Sequence, residues 1–208
     1  MPVKIKICGL KTLSEINCAV DYGASWYGLI FFRGSPRNID LKAAEKLVAK
    51  TPKQIEPVAV TVNPSKNEIQ ELFNIGIKNI QLHGKESVKF CEDIHNKFKI
   101  KVFKAISIKK NNDIALANKY KDCSDWILFD YKDDYQLGGT GKAFNWNVLK
   151  NINLNFNWIL SGGLDYNNVK KAISITNAKA VDVSSGVEER KGIKSTELIK
   201  KFCNSVYN

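Results

Sequence analysis

No two cysteines of this chain stand close enough to make a CxxC pair: Cys8, Cys18, Cys91, Cys123 and Cys203 are odd in number and widely spaced. That spacing excludes a disulfide framework and a thiolate metal site. Histidine is equally scarce, with only His83 and His95, each isolated, so no metal is expected. Arginine is rare too: Arg33, Arg37 and Arg190 stand against 29 lysines. The net charge of +11 raises a nucleic-acid reading, but the lysines are spread along the chain rather than clustered with aromatics. A nucleic-acid surface concentrates charge and leans on arginine forks, so no nucleic-acid partner is expected. A diffuse positive field suits the capture of a small anion instead. No apolar run approaches the roughly 20 residues that span a bilayer. Met1–Cys8 alternates like a strand and lacks the continuous apolar stretch of a secretory signal. With 44% hydrophobic and 25% charged residues and a mean hydropathy of −0.26, a cytoplasmic protein with a buried core and no membrane partner is expected. A chain of 208 residues suits a single domain over 1–208.

What is present is a regular alternation of strand and helix. Strands are predicted over 3–8, Trp26–Phe32, Pro57–Val62, Asn79–His83, Lys101–Ser107, Asp125–Asp130, Asn157–Ser161 and Ala180–Ser184. Helices fall between them over about 13–22, Leu41–Lys50, a stretch ending near Gly76, Glu86–Lys97, Asp113–Lys121, a short piece at Trp146–Lys150 and Asn167–Ile175. Thr196–Ser205 closes the chain as the last helix. Thr12 with Glu15 forms a capping box, Gly23 stops the first helix, and Asp40 caps the second. Eight βα units with tight connections predict an α/β fold, a (β/α)8 barrel of near-minimal size. The rival, a doubly wound open sheet, carries a glycine fingerprint after its first strand, where this chain has Gly9 alone.

In a barrel of this kind the site lies at the carboxyl ends of the strands. Polar and glycine residues gather there: Cys8-Gly9, Arg33 to Arg37, His83-Gly84, Asp130, Ser161-Gly162-Gly163, and Asp182 to Gly186. Gly162-Gly163 and Ser184-Ser185-Gly186 follow strands seven and eight, where such barrels hold phosphate on bare N–H groups. A phosphorylated small molecule is therefore the expected partner, with Gly138-Gly139-Thr140-Gly141 as a flap over it. Strand alternation puts Lys6 and Cys8 in the lumen, together with Trp126, Leu128 and Asp130, and Asp182 and Ser184. A thiol and two carboxyls then share one mouth. A free cysteine is usually an inert buried side chain, which covers Cys18, Cys91, Cys123 and Cys203. Cys8 differs, because the Lys6 ammonium below it is expected to lower the thiol pKa toward the thiolate. His83 points inward as well, either to touch substrate or as a hydrogen-bonded support.

At these residues the sequence resembles the phosphoribosylanthranilate isomerase family of tryptophan biosynthesis. The matching segments are Lys6-Ile7-Cys8-Gly9-Leu10, Ser35-Pro36-Arg37, Gln81-Leu82-His83-Gly84 and Leu128-Phe129-Asp130, then Gly138 to Trp146, Ser161-Gly162-Gly163-Leu164 with Asn168-Val169, and Asp182 to Glu188. They recur in the family's order and spacing over essentially the whole chain. The resemblance implies an Amadori rearrangement of N-(5-phosphoribosyl)anthranilate to the carboxyphenylamino-deoxyribulose phosphate. It implies Asp130 as the general acid that protonates the ribose ring oxygen, and Cys8 as the general base that takes the C2′ proton. Arg37 would grip the anthranilate carboxylate through a bidentate fork, and Asp182 would orient the substrate amine or the intermediate. No cofactor is implied, since the iminium is the electron sink.

Asn145 stands where the family often has Asp, and Ser161 where it often has Ala. Arg33 is a second cation near Arg37 that competes for the carboxylate role. The resemblance implies the stand-alone form, without a fused indole-glycerol-phosphate synthase, as a monomer or homodimer. Two rivals remain. One is a sister barrel of histidine biosynthesis acting on a phosphoribosyl-formimino carboxamide, which uses two carboxyls and two half-barrel phosphate sites. The other is a non-catalytic barrel scaffold.

Overall fold

The structure is a computed structural model that describes residues 2–108, 113–131, 146–150, 152 and 154–207. Eight parallel strands close into a barrel in chain order: β1 (Lys4–Cys8), β2 (Trp26–Phe31), β3 (Glu56–Thr61), β4 (Asn79–Leu82), β5 (Lys101–Ile108), β6 (Trp126–Tyr131), β7 (Trp158–Leu160) and β8 (Ala180–Val183). Helices α1 (Leu13–Asp21), α2 (Leu41–Val48), α3 (Lys66–Asn74), α4 (Val88–Phe98), α5 (Ile114–Ala117), α6 (Val169–Thr176) and α7 (Thr196–Tyr207) connect and close them. Trp146–Leu149 forms a 3-10 turn between β6 and β7. Closure of β1 onto β8 rules out the open doubly wound sheet.

Local chemistry fixes the helix starts. Thr12 and Glu15 make the predicted capping box, and Asp40 accepts from the Ala43 N–H. Ser65 and Glu68 form a second box. The fourth helix begins at Val88, two residues after its predicted start at Glu86: Ser87 accepts from the Phe90 N–H, and Glu86 turns inward to meet Lys104 at 3.0 Å. α5 is a single turn rather than the longer helix expected over Asp113–Lys121. A short antiparallel hairpin, β9 (Glu188–Arg190) with β10 (Ile193–Lys194), was not predicted at all. Gly192, at φ +83°, makes its turn. The flap at Gly138–Gly141 and the departure at Asn145 lie outside the described residues.

Alternation along the strands divides the core in two. Ile5, Ile7, Tyr27, Leu29, Phe129 and their neighbours pack outward under the helices. Trp26, Val58, Phe103, Ala105, Leu128, Ile159 and Ala180 fill the lumen. Trp26 and Trp126 meet edge to face, with ring centroids 5.1 Å apart. Lys4 lies over both rings, at 5.0 and 5.4 Å, and closes the amino end. With its lower half plugged by these packed side chains, the lumen presents Lys6, Cys8, Asp182 and Asp130 higher up, toward the carboxyl ends of the strands.

Candidate functional site

The site is built first at the seam between β1 and β8. Lys6 is paired in register with Asp182, and its Nζ lies 2.8 Å from Asp182 Oδ1 with no solvent access. Ser161 donates to the other carboxylate oxygen at 3.2 Å. Burial works against a charge on Lys6, but Asp182 and Cys8 outweigh it, and the ammonium pKa is raised. Cys8 follows two residues on, buried at the mouth. The expected lowering of its pKa is not the net result. Burial pushes the thiol up and Asp182 adds to it, outweighing the opposing pull of Lys6 and Lys194. Gly28, beside it on β2, leaves room for the sulfur: a Cβ there would sit 2.9 Å from Cys8 Sγ.

Arg37 lies across the end of β1. A Cβ on Gly9 would meet its Cδ at 2.8 Å, so the glycine, at φ +88°, is what lets the arginine cross. The guanidinium already holds a carboxylate: Nε donates to Glu188 Oε1 at 2.6 Å and Nη2 to Glu188 Oε2 at 2.7 Å. Lys194 Nζ reaches the same Glu188 at 2.9 Å and donates to the Ser184 carbonyl at 2.8 Å. Ser184 Oγ in turn donates to the Cys8 carbonyl at 3.1 Å. Arg37, Glu188, Lys194, Ser184 and Cys8 thus form one connected chain. Arg33 is elsewhere: it lines a groove of about 320 Å³ with Asp40, Glu68 and Glu71 between the ends of β2 and β3 and helices α2 and α3.

On the β4–β6 side, His83 Nε2 stands 3.4 Å from Asp130 Oδ2. Gln81, nearly fully buried, places its side-chain nitrogen 2.9 Å from His83 Nδ1. That contact holds the imidazole with Nε2 turned toward Asp130. Beneath them the Lys104–Glu86 pair ties the strand ends together. Lys104 Nζ donates to the carbonyls of Leu82, Gly84 and Ala105, while Glu86 accepts from the N–H groups of Asn63 and Gly84. A cavity of about 280 Å³ lined by His83, Lys104, Ser107, Tyr120 and Asp130 opens beside this pair. A larger one, about 610 Å³, lies at the opposite end around Lys4, Trp26 and Trp126. It is remote from the thiol and from both carboxyls of the mouth.

The loops after β7 and β8 lie against each other. Gly162 and Gly163 adopt φ of +92° and +66°, and a Cβ on Gly163 would meet nothing within 4 Å. Gly186 packs so closely on the Leu164 carbonyl that a Cβ there would lie 2.0 Å from its oxygen. The Ser184 hydroxyl is committed to the Cys8 carbonyl, which leaves the N–H groups of this loop to face an anion. Sequence reasoning gave no role to Gln81, Glu188 or Lys194, although Gln81 and Glu188 stand in its quoted segments. Among the described residues no group of three or more His, Cys, Asp or Glu side chains gathers as a metal site would, and no helix is long and apolar enough to cross a membrane.

Residues 5–205 match the model of the N-(5′-phosphoribosyl)anthranilate isomerase family. The chain is 39% identical to the N-(5′-phosphoribosyl)anthranilate isomerase of Zymomonas mobilis, with 99% of each chain covered. It is also 39% identical to that of Bradyrhizobium diazoefficiens, over 97% of this chain and 92% of the other. Among solved structures, phosphoribosyl anthranilate isomerase from Thermotoga maritima superposes with a TM-score of 0.90 at 33% identity, 98% of both chains covered. A crystal structure of such an isomerase in complex with reduced 1-(o-carboxyphenylamino)-1-deoxyribulose 5-phosphate gives 0.85 at 30% identity, again with 98% of both chains covered.

Proposed function

We propose how the residues of this chain divide the work of the N-(5′-phosphoribosyl)anthranilate isomerase family, to which the chain belongs. The enzyme converts N-(5-phosphoribosyl)anthranilate to 1-(2-carboxyphenylamino)-1-deoxyribulose 5-phosphate, a step of tryptophan biosynthesis. In our reading Asp130 gives its proton to the ribose ring oxygen as the C1′–O bond breaks, and the nitrogen lone pair closes a C1′=N iminium. Cys8, as thiolate, then takes the C2′ proton. The electron pair moves onto the iminium, and the resulting enolamine relaxes to the ketone. The iminium nitrogen accepts the electrons, so this scheme uses only side chains of the chain itself.

Arg37 meets the anthranilate carboxylate with the edge of its guanidinium that Glu188 leaves open. Asp182, fixed between Lys6 and Ser161, orients the substrate amine. His83 holds Asp130 and faces the sugar beside it. Phosphate sits on the N–H groups of Gly162, Gly163, Ser184, Ser185 and Gly186. The proposal takes residues 1–208 as one catalytic domain working in the cytoplasm, as a monomer or homodimer.

The observation that carries this reading is the Cys8 thiol, seated at the barrel mouth between the Lys6–Asp182 pair and the gap left by Gly28. Its test is the loss of phosphoribosylanthranilate fluorescence on turnover. Cys8→Ser and Asp130→Asn should each lower kcat by about a hundredfold or more, the range for losing a general acid or base. Near-normal turnover by either variant sinks its assignment.

A further inference from the structure

A guanidinium has two edges that can grip a carboxylate, one made by Nε with Nη2 and one by the two Nη atoms. In Arg37 the first edge is spent on Glu188, at 2.6 and 2.7 Å. Among the described residues the second meets no acceptor. Glu188 is itself held: its Oε1 also takes Lys194 Nζ at 2.9 Å, and its Oε2 the Gly192 N–H at 3.2 Å. The three side chains carry two positive charges and one negative, so the cluster keeps a net charge of +1. Holding Arg37 with a carboxylate therefore does not cancel its attraction for another.

We propose that Glu188, braced by Lys194, is a positioning residue that presets Arg37 for a ring carboxylate, so that the β9–β10 hairpin carries selectivity for anthranilate over plain aniline. The proposal rests on the reading that Arg37 meets the substrate carboxylate. An unheld arginine at a barrel mouth has many rotamers to give up when it binds. The Glu188 fork removes that freedom before substrate arrives, and the saved ordering cost appears as affinity for the carboxylated ligand alone. The brace also has a second end. Lys194 donates to the Ser184 carbonyl at 2.8 Å, and Ser184 belongs to the loop proposed for the phosphate. One hairpin thus sets the spacing between the grips on the two anionic ends of the substrate.

The test uses two probes: reduced 1-(o-carboxyphenylamino)-1-deoxyribulose 5-phosphate and its phenylamino counterpart without the carboxylate. The quantity read is the ratio of their dissociation constants. Glu188→Gln should lower the preference for the carboxylated probe by about tenfold, with binding of the other probe unchanged. Arg37→Met should abolish the preference. If Arg37→Met keeps it, the reading of Arg37 itself is wrong. If Arg37→Met loses it while Glu188→Gln keeps it, Arg37 stands and the proposal for Glu188 is overturned. Equal weakening of both probes by Glu188→Gln also overturns it, because the hairpin then only supports the barrel. Should Glu188→Gln fail to fold, Glu188→Asp keeps the charge but shortens the reach, and the same ratios decide.

Discussion

Lys6 and Asp182 face each other across the seam where the first and last strands of the barrel pair, and their side chains close at 2.8 Å with the ammonium out of reach of water. Removing one partner leaves the other charge buried and uncompensated. Lys6→Met should cost about 3–5 kcal/mol of stability, measured by urea unfolding. Lys6→Met with Asp182→Leu should recover most of the loss. A cost near zero for the single variant would mean that the pair is solvated in solution.

Burial pushes the Cys8 thiol up despite the two nearby ammonium groups. Less thiolate is then present at neutral pH than for a free cysteine. Alkylation by iodoacetamide, corrected with Cys8→Ser, should keep climbing with pH beyond the point where an ordinary thiol levels off. Asp182 is one of the groups raising that pKa, so Asp182→Asn should move the curve toward lower pH. A shift in the other direction contradicts this balance of charges.

Arg37 and Arg33 are separated clearly by their surroundings. Arg37→Met should lower kcat/KM by about 2–5 kcal/mol, the scale of breaking one side of a buried charge pair. Arg33, beside Glu68 in the groove against α2 and α3, should cost far less when changed to Met. The opposite order in steady-state kinetics would reassign the carboxylate contact.

Burial alone would raise the Glu188 carboxyl, but Arg37 and Lys194 outweigh it and hold the pKa down at about 2. A depressed pKa stabilises the fold above the ordinary carboxylate value, and that contribution disappears as pH falls toward 2. Its size at neutral pH is about 3 kcal/mol as an upper figure. The stability gap between the native chain and Glu188→Gln should therefore be widest above pH 5 and narrow steadily on acidification. A gap independent of pH would show that the carboxylate charge is not what matters.

Gly28→Ala is the smallest change that disturbs the thiol. The added methyl would lie 2.9 Å from Cys8 Sγ and 3.1 Å from its Cα. With the proposed base displaced, kcat should fall at least tenfold while KM changes little, since about 1 Å of misplacement is costly. Unchanged kcat would show that the sulfur can shift without penalty.

Much of this was legible because a strand repeats every two residues. Alternation alone put Lys6, Cys8, Asp130 and Asp182 in the lumen, and hydrophobic periodicity with turn residues gave the eight units. The β9–β10 hairpin was not legible. Glu188-Glu189-Arg190-Lys191 has no apolar alternation, and strands of two or three residues leave no pattern. Partnership was hidden as well. Nothing local in the sequence shows that Glu188 answers Arg37 from 151 positions away. The net rise in the Cys8 pKa was missed for a related reason: a neighbouring lysine can be read from the chain, but the depth of burial that opposes it cannot.

The joining of β1 to β8 has a consequence for how the enzyme is made. Cys8 and Arg37 leave the ribosome early, yet the groups that bind them, Asp182, Ser184, Glu188 and Lys194, are among the last to be synthesised. Until then Lys6 is an ordinary solvated lysine and Cys8 a thiol with ordinary reactivity. The contact between Lys6 and Asp182 spans 176 positions, and its loop-closure cost falls near the end of folding. The proposed site is therefore assembled by the final closure of the ring, and until then Cys8 is an exposed thiol without the groups that surround it in the barrel.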